Sequence, residues 1–251
     1  GVAGEDYVLR VPGETTNTYI NRKHEIAHAK RAAELGLAPD VAWADATSGV
    51  SLSRFIPSGK ALTAQRLVQP DMLRKVANVL GVLHRSSTPL QATLDPIVLF
   101  DQYMALAVGA DGLEDELKWL ADAIDPHRVT GTDPRDTCPC HIDPNPSNFV
   151  DDGERLWLVD WEFSANAPPM WDLACLSLES SMNDELCNLL LANYGATSDE
   201  SGTSLFEHRA LVGLVSLAWT AGQIPHANDS ADFLADFRAR FEGMANGAQT
   251  I

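Results

Sequence analysis

The hydrophobic pattern begins with a short strand and a helix. Residues 7–11 form a β-prone apolar run that ends at Pro12-Gly13, which predicts a strand and a turn. Residues 21–35 then place charged residues and alanines at a helical period, and Gly36 follows as a suitable C-cap. A strand is therefore expected to lead into a single, well-bounded helix.

Two more β-prone runs follow, and after them the pattern becomes helical. Residues 41–56 predict a two-stranded hairpin that turns at Ser48-Gly49. Helical periods then cover residues 71–84 and 100–122. We therefore expect a boundary near residues 57–62 between a sheet-rich first part and a mainly helical second part.

Strand and loop character returns between residues 138 and 163. A short run leads into His141, a loop rich in proline and asparagine follows, and the alternating residues 155–159 come after a turn at residues 151–153. Helices resume at about residue 171. Together these patterns predict an α+β fold.

The charge of the chain narrows its choice of partners. Lys and Arg number 18 against 35 Asp and Glu, which gives a net charge of −17. A surface this negative repels nucleic acid and anionic lipid, because binding to either depends largely on Lys and Arg. A cationic organic substrate would be attracted, although the charge alone is also explained by a surface that serves only solubility.

The distribution of apolar residues bears on location. No run is long enough to span a membrane, and the amino terminus has neither a basic flank nor an apolar signal segment. We therefore expect a cytoplasmic protein without membrane insertion.

The four cysteines predict neither a disulfide framework nor a metal cluster. Cys138-Pro139-Cys140-His141 has a single residue between its cysteines, which is shorter than the usual zinc-finger spacing, and no second ligand pair follows. Cys140 and His141 are also adjacent in an extended run, so they point to opposite faces and could hardly act as a hydrolase pair.

One stretch carries recognisable chemistry. It reads His141-x-Asp143-x-x-x-x-Asn148 and is followed by Asp160 at the end of an apolar run. Phosphoryl transfer needs an acid group that orients and deprotonates the acceptor hydroxyl, together with oxygen ligands for magnesium. Taken singly, an Asp or Asn in a loop usually reflects turn chemistry, and His141 is most simply a residue that braces the loop. Their conjunction favours a phosphotransferase.

At this point the chain resembles a known family. The pattern is similar to the catalytic and metal-binding loops of choline/ethanolamine kinases and aminoglycoside phosphotransferases. This resemblance implies a bilobal protein-kinase-like fold, with a partial nucleotide-binding sheet lobe over residues 1–59 and a catalytic and acceptor-binding helical lobe over residues 60–251. The matching stretches are Tyr7-Val8-Leu9-Arg10-Val11-Pro12-Gly13, Asn21-Arg22-x-x-Glu25, the loop from His141 to Asn148, Asp160-Trp161-Glu162 and Trp171-Asp172-Leu173-Ala174 with Glu179.

The resemblance implies roles for the matching positions. Asp143 would be the catalytic base, and Asn148 and Asp160 would bind magnesium. Arg10 would contact the phosphates of ATP and would be held by Glu25, since a planar guanidinium can bond two phosphate oxygens at once. Without the family context, Arg10 and Glu25 would read as an ordinary surface ion pair.

The acceptor site follows from the same resemblance. Choline kinases hold a quaternary ammonium group with aromatic faces and an acid, which implies acceptor contacts from Glu179, Trp219, Glu162 and Phe237. At helical spacing, however, Trp219 and Phe237 are equally well explained as core aromatics. The expected acceptor is choline or a related small amino alcohol.

Other interpretations remain open from the sequence. The acceptor could be thiamine, an aminoglycoside or another hydroxylated amine. The family's glycine-rich phosphate loop would lie upstream of Tyr7, outside this sequence, which leaves an inactive kinase-like scaffold as a different class of hypothesis. The sequence leaves the oligomeric state undetermined.

Overall fold

A computed structural model describes residues 4–13, 19–107, 113–124, 137–196, 199–226 and 230–248. It confirms the predicted α+β class, with eight short strands and nine α-helices in the described part of the chain. The strands are β1 (Tyr7–Arg10), β2 (Val41–Ala44), β3 (Ser51–Arg54), β4 (Lys60–Ala61), β5 (Cys138–Cys140), β6 (Phe149–Asp151), β7 (Leu156–Leu158) and β8 (Ala165–Ala167). The helices are α1 (Arg22–Glu34), α2 (Ala64–Leu67), α3 (Pro70–His84), α4 (Pro96–Leu106), α5 (Leu113–Ile124), α6 (Pro169–Glu179), α7 (Asp184–Tyr194), α8 (Asp199–Gln223) and α9 (Ser230–Ala248), with short 3₁₀ turns at Pro146–Asn148 and Ile224–His226.

The chain divides into two compact units. One contains Gly1–Thr93 and Asp136–Gly202, and the other contains Leu94–Arg135 and Thr203–Ile251. The predicted lobes, residues 1–59 and 60–251, stay a prediction. Every helix in the described residues is too short or too polar to cross a lipid bilayer.

The predicted first helix is confirmed, and its ends have clear causes. The Asn21 side chain caps the amino end of α1 by accepting hydrogen bonds from the backbone N–H groups of Lys23 (3.1 Å) and His24 (3.3 Å). At the other end, Gly36 has a φ of +72°, which a glycine adopts without steric cost. The capped helix therefore fixes the position of Glu25 in its first turn.

The first sheet has the strand order β1-β3-β2, and both strand pairs are antiparallel. Its β2–β3 hairpin is the predicted one, and Gly49 occupies the turn with a φ of +73°. A Cβ atom at this position would lie 2.6 Å from Cδ of Arg22, so the side chain of α1 packs directly against the turn. The sheet and α1 are thereby held together.

Two small sheets frame the loops that carry the chemistry. In one, β6 pairs with β7 in the hairpin predicted from the turn at residues 151–153, and β4 adds to its edge. In the other, β5 pairs with β8. The backbone N–H of Val159 donates to the carbonyl oxygen of Asn148 at 2.9 Å, so Asn148 and Asp160 lie at the same end of the β6–β7 hairpin.

The single helix predicted over residues 100–122 is wrong, because the structure has two helices there. The first, α4, ends at Leu106 with Ala107 as its C-cap, and α5 begins at Leu113. The part of the predicted helix over residues 108–112 lies outside the described residues.

Candidate active site

A buried aspartate fixes the loop that follows β5. Asp172, in the first turn of α6, is fully buried and accepts hydrogen bonds from the backbone N–H groups of His141 and Ile142, both at 2.8 Å. His84 Nε2 lies 3.0 Å from the same carboxylate. A buried carboxylate is costly unless it is hydrogen-bonded, and these three contacts satisfy it. The loop therefore leaves β5 in one defined direction.

His141 braces the loop from the other side, as the sequence predicted. Its ring is fully buried and its Nε2 lies 3.0 Å from the carbonyl oxygen of Val159. Because a carbonyl only accepts, Nε2 carries the proton. Burial lowers the pKa of His141, so the ring is neutral. An edge-to-face contact with Trp161, at 4.9 Å between ring centroids, completes the link between the two loops.

The side chain of Asp143 accepts hydrogen bonds from the two asparagines that follow it in this loop. Asn145 Nδ2 donates to its two carboxylate oxygens at 3.2 and 3.1 Å, and Asn148 Nδ2 donates to Oδ2 at 3.3 Å and to its backbone carbonyl at 2.9 Å. Burial raises the pKa of Asp143 to about 7, and the nearby Glu179 and Asp160 carboxylates add to the rise. This carboxylate can therefore hold or release a proton near neutral pH.

Asn148 and Asp160 offer oxygen atoms beside Asp143. Because the Asn148 amide nitrogen donates to Asp143, its Oδ1 is the atom that can face a metal ion. Asp160 follows β7 with a φ of +67°, and its side chain is 41% exposed. A carboxylate and an amide oxygen are ligands that magnesium accepts. The predicted metal ligands are thus brought to one end of one hairpin.

Arg10 lies at the centre of an ion cluster. Its Nη1 is 2.8 Å from Glu25 and 2.7 Å from Asp160, and its Nη2 is 2.6 Å from Glu162. Arg22 Nη1 adds bonds to Glu25 at 2.7 Å and Glu162 at 3.1 Å. Burial alone would lower the pKa of Arg10, but the three carboxylates raise it, so the guanidinium stays charged. The structure confirms the predicted pairing of Arg10 with Glu25.

A cavity of about 330 Å³ opens beside this cluster. Its charged lining residues are Arg10, Glu25, Arg54 and Asp160. The rest of its wall is mainly apolar and includes Val8, Ile26, Val41, Ile56, Val150, Val159 and Trp161. A site with an apolar wall and a few convergent charged groups suits a planar organic group that carries phosphates.

The residues predicted to contact the acceptor belong to different elements of the fold. Glu179, at the end of α6, lies close enough to Asp143 to raise its pKa. Glu162 lies in the ion cluster, bonded to both arginines. Trp219 lies on α8, with its ring 6.4 Å from that of Phe233. Their roles at an acceptor site stay predictions.

Phe237 differs from the other three acceptor residues. Its ring has no exposed surface and stacks on Phe241 at 5.9 Å between centroids. A ring without accessible surface has no face to present to a ligand. The structure therefore favours the interpretation of Phe237 as a core aromatic, which the helical spacing had left open.

Sequence reasoning missed the residues that support the site. Asp172 and Arg22 stood inside stretches that matched the family, but neither was given a role. The signal for Arg22 was its spacing, because residues three apart on a helix are neighbours and Glu25 follows at that distance. His84 had no local signal, since its partner Asp172 lies far along the chain.

Comparison with known proteins identifies the family to which this sequence is similar. The family model described as "APH: Phosphotransferase enzyme family" matches residues 1–211. Protein LicA of Haemophilus influenzae is 26% identical in an alignment of 249 residues that covers 92% of this chain and 91% of that protein.

Comparison with solved structures tests the predicted fold. A choline/ethanolamine kinase family protein from Mesorhizobium loti has a TM-score of 0.81 and 25% identity, covering 97% of this chain and 82% of that one. The choline kinase LicA from Streptococcus pneumoniae has a TM-score of 0.83 and 24% identity, covering 100% of this chain and 89% of that one. These similarities confirm the predicted kinase-like fold.

Proposed function

The chain belongs to the phosphotransferase enzyme family that matches residues 1–211, and we propose that it transfers the γ-phosphoryl group of ATP to the hydroxyl group of choline or a related small amino alcohol. The observation that carries this proposal is the Asp143 carboxylate, with a pKa of about 7, beside Asn148 and Asp160 at the end of one hairpin. A base, two metal ligands and a phosphate-binding cation are the parts that phosphoryl transfer needs.

Asp143 acts as the general base in this proposal. It orients the acceptor hydroxyl and takes its proton while the hydroxyl oxygen bonds to the γ-phosphorus and the bond from that phosphorus to ADP breaks. A catalytic pKa near the working pH suits this role, because the carboxylate is then ionised yet basic enough to receive a proton. Burial of Asp143 is the physical cause of that pKa.

Asn148 and Asp160 would hold magnesium. The chemistry of the donor set fits this ion, since Asp160 offers a carboxylate oxygen and Asn148 offers an amide oxygen at the same end of the β6–β7 hairpin. When bound, the ion neutralises charge on the nucleotide phosphates. In this role Asp160 would exchange its bond to Arg10 for one to the ion.

Arg10 would bind the nucleotide phosphates. Glu25 contacts Arg10 from the first turn of α1 and is nearly buried, so the guanidinium keeps one firm partner when its bond to Asp160 opens. The apolar part of the adjacent cavity would hold the adenine base. Arg10 and Glu25 thus form the nucleotide contacts of the proposed site.

Choline is the favoured acceptor for three reasons. The similar solved structures include a choline kinase, the net charge of −17 attracts a cation, and Glu179 adds an acid close to Asp143. Trp219 is the proposed aromatic face for the quaternary ammonium group. A kinase for thiamine, an aminoglycoside or another hydroxylated amine is the second candidate, because these acceptors are also cationic. The presence of the base and both metal ligands argues against an inactive scaffold.

A coupled assay of ADP release tests the proposal. The protein is supplied with ATP and magnesium and with choline, ethanolamine, thiamine, kanamycin or no acceptor. We expect choline to stimulate ADP release and Asp143→Asn to abolish it, while the matched control Asp152→Asn, in an exposed turn, stays active. Stimulation by another acceptor alone would replace choline, and ATP binding with no stimulated release would contradict the proposed activity.

A further inference from the structure

A buried histidine joins α1 to the loop that carries Asp160. His28 lies one turn after Glu25 on α1 and is only 3% exposed. Its Nδ1 lies 2.9 Å from Ser164 Oγ, and its Nε2 lies 3.1 Å from the backbone nitrogen of Gln91. Both ring nitrogens of His28 therefore have partners on separate segments of the chain.

The partners determine where the protons lie. The Gln91 backbone nitrogen is a donor, so Nε2 of His28 accepts and its proton must be on Nδ1. Ser164 Oγ donates to the carbonyl oxygen of Trp161 at 2.6 Å, so it accepts from Nδ1 of His28. The chain of hydrogen bonds thus runs from α1 through the Ser164 hydroxyl to the Trp161 carbonyl, and it requires a neutral imidazole.

The far end of this chain is the metal-binding turn. Trp161 is flanked by Asp160 and Glu162, and its carbonyl oxygen also accepts from the Ser164 backbone N–H at 3.3 Å. Asn166, two residues beyond Ser164, holds the residues around Gln91 in place through bonds to Leu90 and Ala92. His28 is therefore attached to a fixed segment on one side and to the turn on the other.

The turn is joined to α1 in a second way, through the ion cluster. Arg10 bonds to Glu25 on α1 and to Asp160 and Glu162 on the turn. On the proposed function, Asp160 would exchange Arg10 for magnesium when the ion and the nucleotide bind, so part of this connection between the turn and α1 would then be lost. The link through His28 carries no charge and competes with neither the metal nor the phosphates.

We propose that His28 is a positioning residue for phosphoryl transfer, which holds the Asp160 turn against α1 while Arg10 exchanges Asp160 for the nucleotide. This role rests on the proposed function and acts through Ser164 and the Trp161 carbonyl. Burial keeps the ring neutral, because it lowers the pKa of His28 to about 4.

The test is binding of ADP to the whole chain by titration calorimetry, with magnesium and with a chelator. Ser164→Ala interrupts the chain of hydrogen bonds with little change in side-chain volume. His28→Leu removes both hydrogen bonds of the His28 ring. Each should weaken binding of ADP with magnesium by about fivefold, the effect of losing one hydrogen bond, and leave binding in the chelator unchanged. His28→Asn, whose amide nitrogen can donate to Ser164, should restore most of the loss.

The matched control is His208→Leu, the same change at a buried histidine on α8 whose Nδ1 bonds to Ser204, one turn earlier on the same helix. It should change neither titration. Equal weakening with and without magnesium, or no weakening in Ser164→Ala, would overturn the positioning role. The titration measures ADP binding and uses no acceptor. A wild-type protein that phosphorylates none of the acceptors would refute the proposed function, and the effect of the His28 and Ser164 variants on ADP binding could still be measured.

Discussion

Replacing Asp143 with asparagine should stabilise the protein at neutral pH while it removes the proposed base. The folded protein raises the pKa of this carboxyl from 3.8 to about 7, chiefly by burial. Each unit of pKa shift corresponds to 1.36 kcal/mol, so above pH 7 the ionised carboxylate lowers the stability of the folded state by about 4 kcal/mol. An amide carries no charge and avoids this cost.

The gain is reduced by hydrogen bonds that an amide cannot keep. Asn145 and Asn148 donate to the two carboxylate oxygens at 3.1 to 3.3 Å, whereas an asparagine offers a single acceptor oxygen. Losing part of this set costs about 1–2 kcal/mol. The net expectation for Asp143→Asn is a gain of about 2–3 kcal/mol above pH 7.

The pH window follows from the two pKa values. Below pH 3.8 the carboxyl of Asp143 is protonated in both the folded and the unfolded protein, so its ionisation costs nothing. As pH rises from 3.8, the unfolded state ionises first and stability is lost, until the folded carboxyl ionises at about 7 and the loss is complete. The benefit of Asp143→Asn should therefore grow over this range, and near pH 4 the variant should be slightly less stable than the wild type.

Differential scanning calorimetry from pH 4 to pH 8 measures this effect. For a chain of this size each kcal/mol shifts Tm by about 2–4 °C, so Asp143→Asn should raise Tm at pH 8 by about 4–12 °C. Asp152→Asn is the control of opposite sign, because Asp152 accepts bonds from two backbone N–H groups and from Trp157 Nε1 that lower its pKa. If Asp143→Asn lowered Tm at pH 8 as Asp152→Asn should, the raised pKa would be refuted.

Three further predictions concern other parts of the site. Gly49→Ala places a Cβ 2.6 Å from Arg22 at a φ of +73°. Urea denaturation should therefore show that the free energy of unfolding falls by about 1–3 kcal/mol, whereas an unchanged midpoint would show that the turn can relax. Trp219→Ala should raise KM for choline about 5- to 30-fold if its ring faces the ammonium group, and an unchanged KM would remove Trp219 from the acceptor site. Burial and the neighbouring His24 lower the pKa of His28 from 6.5 to about 4, so the contribution of this ring to stability should fall as pH drops from 6.5 towards 4. The Tm of His28→Asn minus the Tm of the wild type should therefore rise over this range, and a constant difference would show that His28 does not titrate there.

The parts of the site that the sequence predicted are those set by local spacing. Asp143 and Asn148 are five residues apart on one loop, and the β6–β7 hairpin brings Asn148 level with Val159 through a single turn. The helix that carries Glu25 has a cap at each end that can be read from its own residues. Such features depend on neighbours in the chain, so pattern and turn chemistry are enough to find them.

The parts that were missed depend on contacts between distant residues. Asp172 reaches the loop at His141 from 31 residues away, and its bond to His84 spans 88 residues. The strand β4 has only two residues, Lys60 and Ala61, which pair with β6 far along the chain. Two residues show no period, and no spacing rule links His84 to Asp172, so tertiary packing alone creates these features.

The backbone at the site is held in an unfavourable conformation, and the reason lies in Asp172. Ile142 has a φ of +74°, a region that a β-branched residue rarely adopts and that costs about 1–3 kcal/mol. Its N–H donates to Asp172 at 2.8 Å and its carbonyl accepts from Trp171 Nε1 at 3.1 Å, so both of its polar groups are engaged by α6. Relaxing Ile142 to an ordinary conformation would break these bonds and leave a buried carboxylate short of donors, which costs more than the strain. The strained residue lies between the histidine that braces the loop and the proposed base, so the same bonds that maintain the strain also determine where Asp143 lies.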